Sequence, residues 1–140
     1  DPVSRRDFWA ILYQLIGEGL TVVVSTAYLE EAERANRVGL MHQGKMIRCD
    51  SPAALKESLE ETCYRAHFPH PEEARPLLER QPGVLGVYHA GIEYHLFVNE
   101  KVTPVENLLK VTPFTYQRIT PSLEDVFIAL VRKAELPQAA

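Results

Sequence analysis

The chain has 140 residues, 46% of them hydrophobic and 24% charged, an ordinary balance for a soluble globular protein with one domain or two small ones. A formal net charge of −4 argues against a nucleic-acid partner, and no apolar run approaches the roughly 20 residues that a membrane-spanning helix needs. Cys49 and Cys63 form no CxxC motif and no signal-peptide pattern is present, so a reduced cytoplasmic setting is the simpler expectation, with any membrane link running through a protein partner.

Asp1-Pro2 reads as a helix start, an aspartate cap followed by proline at the first helical position. Phe8, Ile11, Leu12 and Leu15 follow at helical spacing and predict one apolar stripe, which Gly17 and Gly19 end. Leu20–Val24 is a continuous apolar run rich in β-branched residues, the pattern of a strand buried on both faces. Ser25 and Thr26 offer hydroxyls to the start of a second helix, whose opening turn holds Glu30 and Glu31. Glu30 with Arg34, and Glu33 with Arg37, stand at i,i+4 with the acid first. Val38–Met41 and Lys45–Cys49 read as two strands joined at Gln43-Gly44, and Ser51-Pro52 starts a short helix with Ala54, Leu55 and Leu59 on its apolar side.

The character of the chain changes near Glu60–Thr62, which divides it into residues 1–60 and 61–140. Thr62–Phe68 puts Tyr64, Ala66 and Phe68 on one strand face and Cys63, Arg65 and His67 on the other. Pro71–Arg80 is a helix that Pro76 should kink or shorten, and Gln81-Pro82-Gly83 is a turn. Val84–His89 and Ile92–Val98 are strands joined at Ala90-Gly91, with Ile92, Tyr94, Leu96 and Val98 sharing one face. Thr103-Pro104-Val105-Glu106 has the form of a capping box. Phe114–Ile119 is a last strand; Leu123, Val126, Phe127, Leu130 and Val131 form the stripe of a closing helix, and Ala134–Ala140 should fray. The first part is thus α/β. The second, in the order β-α-β-β-α-β plus α, is a ferredoxin-like α+β pattern, expected as one antiparallel sheet with helices on one face.

Several motifs invite chemistry. Gly39–Lys45 fits G-x-x-x-x-G-K, but Met46 stands where the phosphate loop needs Ser or Thr, and a strand follows where a helix should open. It reads as a hairpin. Cys63, His67 and His70 lack a fourth ligand of suitable spacing, so no metal is assigned to them, and His89 and His95 flank a hairpin without being cross-strand partners. Glu30, Glu31 and Glu33, interspersed with Arg34 and Arg37, suit a solvated helix face better than acid–base catalysis. The Leu123–Val131 stripe suits a core or a partner-binding surface. No catalytic arrangement of Ser, Cys, His and Asp emerges.

Three stretches nevertheless carry a resemblance. Ser25-Thr26 with Glu31-Ala32-Glu33, the hairpin glycine-lysine Gly44-Lys45, and Ser122-Leu123-Glu124-Asp125-Val126-Phe127 are similar to the ATP-binding subunits of ABC transporters of the drug- and multidrug-exporter type. The resemblance extends over the whole chain. It implies the C-terminal end of a P-loop-type ATPase core followed by a ferredoxin-like C-terminal extension. Asp1 matches the D-loop aspartate, which touches the opposite nucleotide site in such a dimer, and Ala27 occupies the position of the switch-loop histidine that senses the γ-phosphate. The Walker A loop, the signature loop and the Walker B strand with its catalytic glutamate do not lie within residues 1–140. The resemblance therefore implies a longer parent that uses ATP and Mg²⁺, pairs with a second ATP-binding domain and with a membrane-spanning permease, and sits on the inner face of the cell membrane. The chain alone should neither bind nor hydrolyse ATP and should itself carry no catalytic residue, metal or cofactor. The competing expectation is a ferredoxin-like module that senses a small molecule or dimerises.

Overall fold

A computed structural model describes residues 1–136. Helix α1 spans Pro2–Gly17, capped by Asp1, whose side chain accepts from the Val3 backbone N–H. Only Trp9 and Leu12 of α1 are buried; Phe8 and Ile11 of the expected stripe face outward. After α1 comes the clearest departure from expectation. Leu20–Val24 is neither strand nor buried: it has no ladder partner among the described residues, and Val23 is 91% exposed. A parallel strand buried on both faces needs neighbours on both edges to satisfy its backbone. The two sheets that form do not include it.

Helix α2 is a single turn, Leu29–Ala32, much shorter than the acidic helix its charge pairs suggested. Those i,i+4 pairs do not form. Glu33 instead meets Lys56, and Arg34 lies 5.5 Å from the centre of the Trp9 ring. Strands β1 (Val38–His42) and β2 (Lys45–Asp50) make the expected antiparallel hairpin. Its turn residues Gln43 and Gly44 both have positive φ, 50° and 75°, the geometry that matches the twist of a two-residue hairpin loop. Helix α3, Pro52–Glu57, is capped by the Ser51 hydroxyl and buries Leu55.

The second sheet holds β3 (Thr62–His67), β4 (Val84–Ala90), β5 (Glu93–Val98) and β6 (Thr115–Ile119) in the order β4-β5-β3-β6, antiparallel throughout. Helices α4 (Pro71–Glu79) and α5 (Val105–Leu108) lie over the face that carries Tyr64, Ala66, Phe68, Val87, Leu96 and Val98. The β4–β5 turn falls at Gly91-Ile92, one residue later than expected, and leaves Ile92 99% exposed and off the core face. No capping box forms at α5. The Thr103 hydroxyl donates to the Pro82 carbonyl, and the Glu100 carboxylate accepts from the Val105 N–H in its place.

Helix α6, Leu123–Glu135, begins with a complete capping box between Ser122 and Asp125. One flank of α6, Leu123, Val126 and Leu130, packs on Val38 and Leu40 of the hairpin and on Leu55 of α3. Its Ala129 packs on Cys63, Leu85 and Phe97, the opposite face of the four-stranded sheet from α4 and α5. Helices therefore cover both faces, not one. Of the stretch Ala134–Ala140 that was expected to fray, Ala134 and Glu135 are regular α6, and residues 137–140 lie outside the described residues. No helix among the described residues is long and apolar enough to cross a membrane.

Candidate functional site

The D-loop and switch-loop candidates meet at one corner of the molecule. Asp1 is fully used locally: its carboxylate accepts from the Val3 N–H at 3.1 Å and from the Ser4 hydroxyl at 2.9 Å. One turn on, Arg5 lies 4.3 Å from the centre of the Tyr28 ring and 3.5 Å from the Glu31 carboxylate, which ties α1 to the loop that leads into α2. Within that loop the Thr26 hydroxyl accepts from the Tyr28 N–H and donates to Glu31, both at 3.0 Å. The loop is thus held on either side of Ala27, whose exposed methyl group offers neither donor nor acceptor. Asp1, Pro2, Arg5, Arg6 and Arg34 line a surface depression.

The Gly39–Lys45 motif lies in the β1–β2 hairpin, and Met46 continues straight into β2. There is no helix N-terminus behind that loop to receive a phosphate, so the residues present do not fit a nucleotide cradle.

Glu33, assigned by pattern to a solvated face, is a junction. One carboxylate oxygen accepts from Lys56 Nζ at 2.6 Å, and the other accepts from the Leu123 backbone N–H at 3.1 Å, at the first turn of α6. Burial pushes this carboxyl up, but the bonds from Lys56 and Leu123 and the Lys56 charge outweigh burial and hold it below the ordinary 4.5.

The histidines distribute differently from the sequence grouping. His67 and His70 are exposed and stand apart from Cys63. Cys63 sits instead with His95 and Asp125: one ligand atom from each lies within 4.8 Å of the others. Cys63 pairs across the ladder with Phe97, so His95, two residues earlier on β5, is its diagonal neighbour on the same face. The start of α6 then brings Asp125 over that face, with Oδ1 at 2.7 Å from His95 Nδ1 and Oδ2 accepting from the Ser122 N–H and hydroxyl. Burial, reinforced by the Asp125 charge, pushes the Cys63 thiol up to about 12. Strand alternation settles the faces of Cys63 and His95, but bringing them together with Asp125 needs the register of β3 on β5 and the landing place of α6.

No family model matches the chain. It is 32% identical over 136 residues to the probable multidrug ABC transporter ATP-binding protein YbhF of Escherichia coli, an alignment that covers 94% of this chain and 23% of that protein. The daunorubicin resistance ATP-binding protein DrrA2 of Streptomyces coeruleorubidus is 28% identical, with 93% of this chain and 44% of that protein covered. The Nod factor export ATP-binding protein I of Burkholderia lata is 29% identical, with 93% and 43% covered. The chain spans under half the length of each of these relatives.

Proposed function

Because the chain belongs to the ATP-binding proteins of ABC transporters, we propose that it is the part of such a protein that begins at the D-loop, passes through the switch loop and ends in a ferredoxin-like extension. The parent couples ATP binding and hydrolysis to export, with Mg²⁺ neutralising phosphate charge and with a permease and a second ATP-binding domain as partners. It works at the cytoplasmic face of the membrane. In this reading Asp1 is the D-loop residue, and Ala27 stands at the γ-phosphate sensor without a hydrogen-bonding group. The D-loop cap also explains how Asp1 is aimed: both of its oxygens are held by the first turn of α1. Residues 1–60 belong to the ATPase core and 61–140 to the extension, and the strand order β4-β5-β3-β6 supports a ferredoxin-like assignment for the latter.

The observation that carries the proposal is Leu20–Val24. A run with the composition of a buried central strand lies exposed and unpaired here, and Phe8 and Ile11 of α1 also face outward. An exposed β-branched run with open backbone groups is a template awaiting neighbouring strands. In the full-length protein those neighbours are the strands of the ATPase core. Hydrogen exchange measured on both chains tests this. The amides of residues 20–26 should exchange freely in the 140-residue chain and be strongly protected in the full-length protein. Equal exchange in the two would refute the assignment.

A further inference from the structure

We propose that Cys63, His95 and Asp125 form a binding site for a single thiophilic divalent cation of the zinc class. The donor set suits such an ion. Thiolate, imidazole and carboxylate are the three ligand types that zinc takes, and a thiolate with a carboxylate balances the charge of a divalent ion. The geometry points the same way. Bond lengths of about 2.0–2.3 Å place the donor atoms of a tetrahedral zinc site about 3.3–3.5 Å apart. Here the three atoms lie within 4.8 Å of one another, with His95 and Asp125 closer at 2.7 Å. A cation between them would draw the sulfur in and part the His95–Asp125 contact.

Support for the ligands is already built. Asp125 keeps Oδ2 on the Ser122 N–H and hydroxyl, so Oδ1 can turn to a metal while the capping box of α6 stays closed. Such hydrogen bonds to the non-ligating oxygen orient metal carboxylates. Cys63 is fixed by the β3–β5 ladder and buried with Leu85, Phe97 and Ala129, which gives the site an apolar floor. Entry is from the His95 side, where the side chain retains 17% of its exposure. Three protein ligands leave a fourth position for water or a further ligand. The bound ion would join β3, β5 and the start of α6 at one point.

The test uses the 140-residue chain, treated with chelator and titrated first with Co²⁺ and then with Zn²⁺. A near-ultraviolet thiolate-to-cobalt charge-transfer band that saturates at one equivalent, is displaced by Zn²⁺ and comes with a raised unfolding temperature supports the site. Cys63→Ser should abolish the band, and His95→Gln should weaken Zn²⁺ binding by roughly 10–100-fold or more. Cys49→Ser and His67→Ala, both at exposed positions, should change neither. If the Cys63 variant fails to fold, His95→Gln decides, since that residue is only part-buried: loss of binding supports the proposal and retained binding overturns it. A chain that takes up no cobalt, or a band that survives Cys63→Ser and disappears with Cys49→Ser, overturns it as well.

Discussion

Replacing Glu33 with alanine would remove a carboxylate that ties three elements together: the end of α2, the Lys56 side chain on α3 and the first turn of α6. The Lys56 contact is short at 2.6 Å, but the two side chains keep 25% and 32% of their exposure, so solvent screening limits it to about 0.5–1 kcal/mol. The bond to the Leu123 N–H satisfies one of the orphan donors of α6 with a charged acceptor, worth about 1–2 kcal/mol including the helix dipole. Glu33→Ala should therefore cost about 1.5–3 kcal/mol, read from the shift of the urea unfolding midpoint by circular dichroism. Glu33→Gln keeps an oxygen for Leu123 and should cost about 1 kcal/mol, close to Lys56→Met. A Glu33→Ala chain within about 0.5 kcal/mol of the parent would refute the junction, and a Lys56→Met as costly as Glu33→Ala would move its weight from α6 to the ion pair. The acid side follows from the same group. Its carboxyl is held below 4.5 in the folded chain, so its contribution is complete above that pH and is lost as pH falls through the lower folded value. Glu33→Gln should flatten that part of the acid unfolding curve.

Three further outcomes are expected. In the full-length protein Ala27→His should restore a donor at the γ-phosphate and speed single-turnover hydrolysis by about a hundred- to a thousandfold, and a change within about twofold would mean that the position is compensated or misassigned. Calorimetric titration of the 140-residue chain with Mg·ATP should show no saturable heat, and a dissociation constant below about 100 µM would contradict the hairpin reading of Gly39–Lys45. Above pH 9.0 the unfolded chain releases the Cys63 proton while the folded chain, its thiol raised by burial and by Asp125 to about 12, retains it. That contribution is whole below 9.0 and fades as pH climbs toward 12, so alkaline unfolding curves of Cys63→Val should lack this decline.

Local signals in the sequence were honest where the short range decides. The Asp1 and Ser51 caps, the Gln43-Gly44 turn and the alternation of Tyr64, Ala66 and Phe68 depend on neighbours a few residues away, and each stands in the structure. Expectations failed where a distant partner competes. Thr103 was free to cap by pattern, yet Pro82 takes its hydroxyl. Glu33 had an arginine at helical spacing, yet Lys56 and Leu123 claim it after α2 stops short. Leu20–Val24 has the composition of an interior strand, but composition cannot supply the strands on either side. The same limit hid the Cys63–His95–Asp125 group, which draws on two strands and a helix.

The double seating of α6 sets an order of events during synthesis. Every buried residue of the cluster beneath α4 and α5 lies between Tyr64 and Phe114, so none of it waits for α6. The apolar side of the hairpin does. Val38, Leu40 and Leu55 wait for Leu123, Val126 and Leu130, and the tie from Glu33 to Leu123 spans 90 residues. At translation rates of about 5–20 residues per second, that interval is roughly 4–18 s. Until α6 is made and clear of the ribosome, the hairpin therefore shows an oily side to any chaperone nearby. Arrival of a single helix then completes the hairpin core and the second face of the sheet together, as the last folding step.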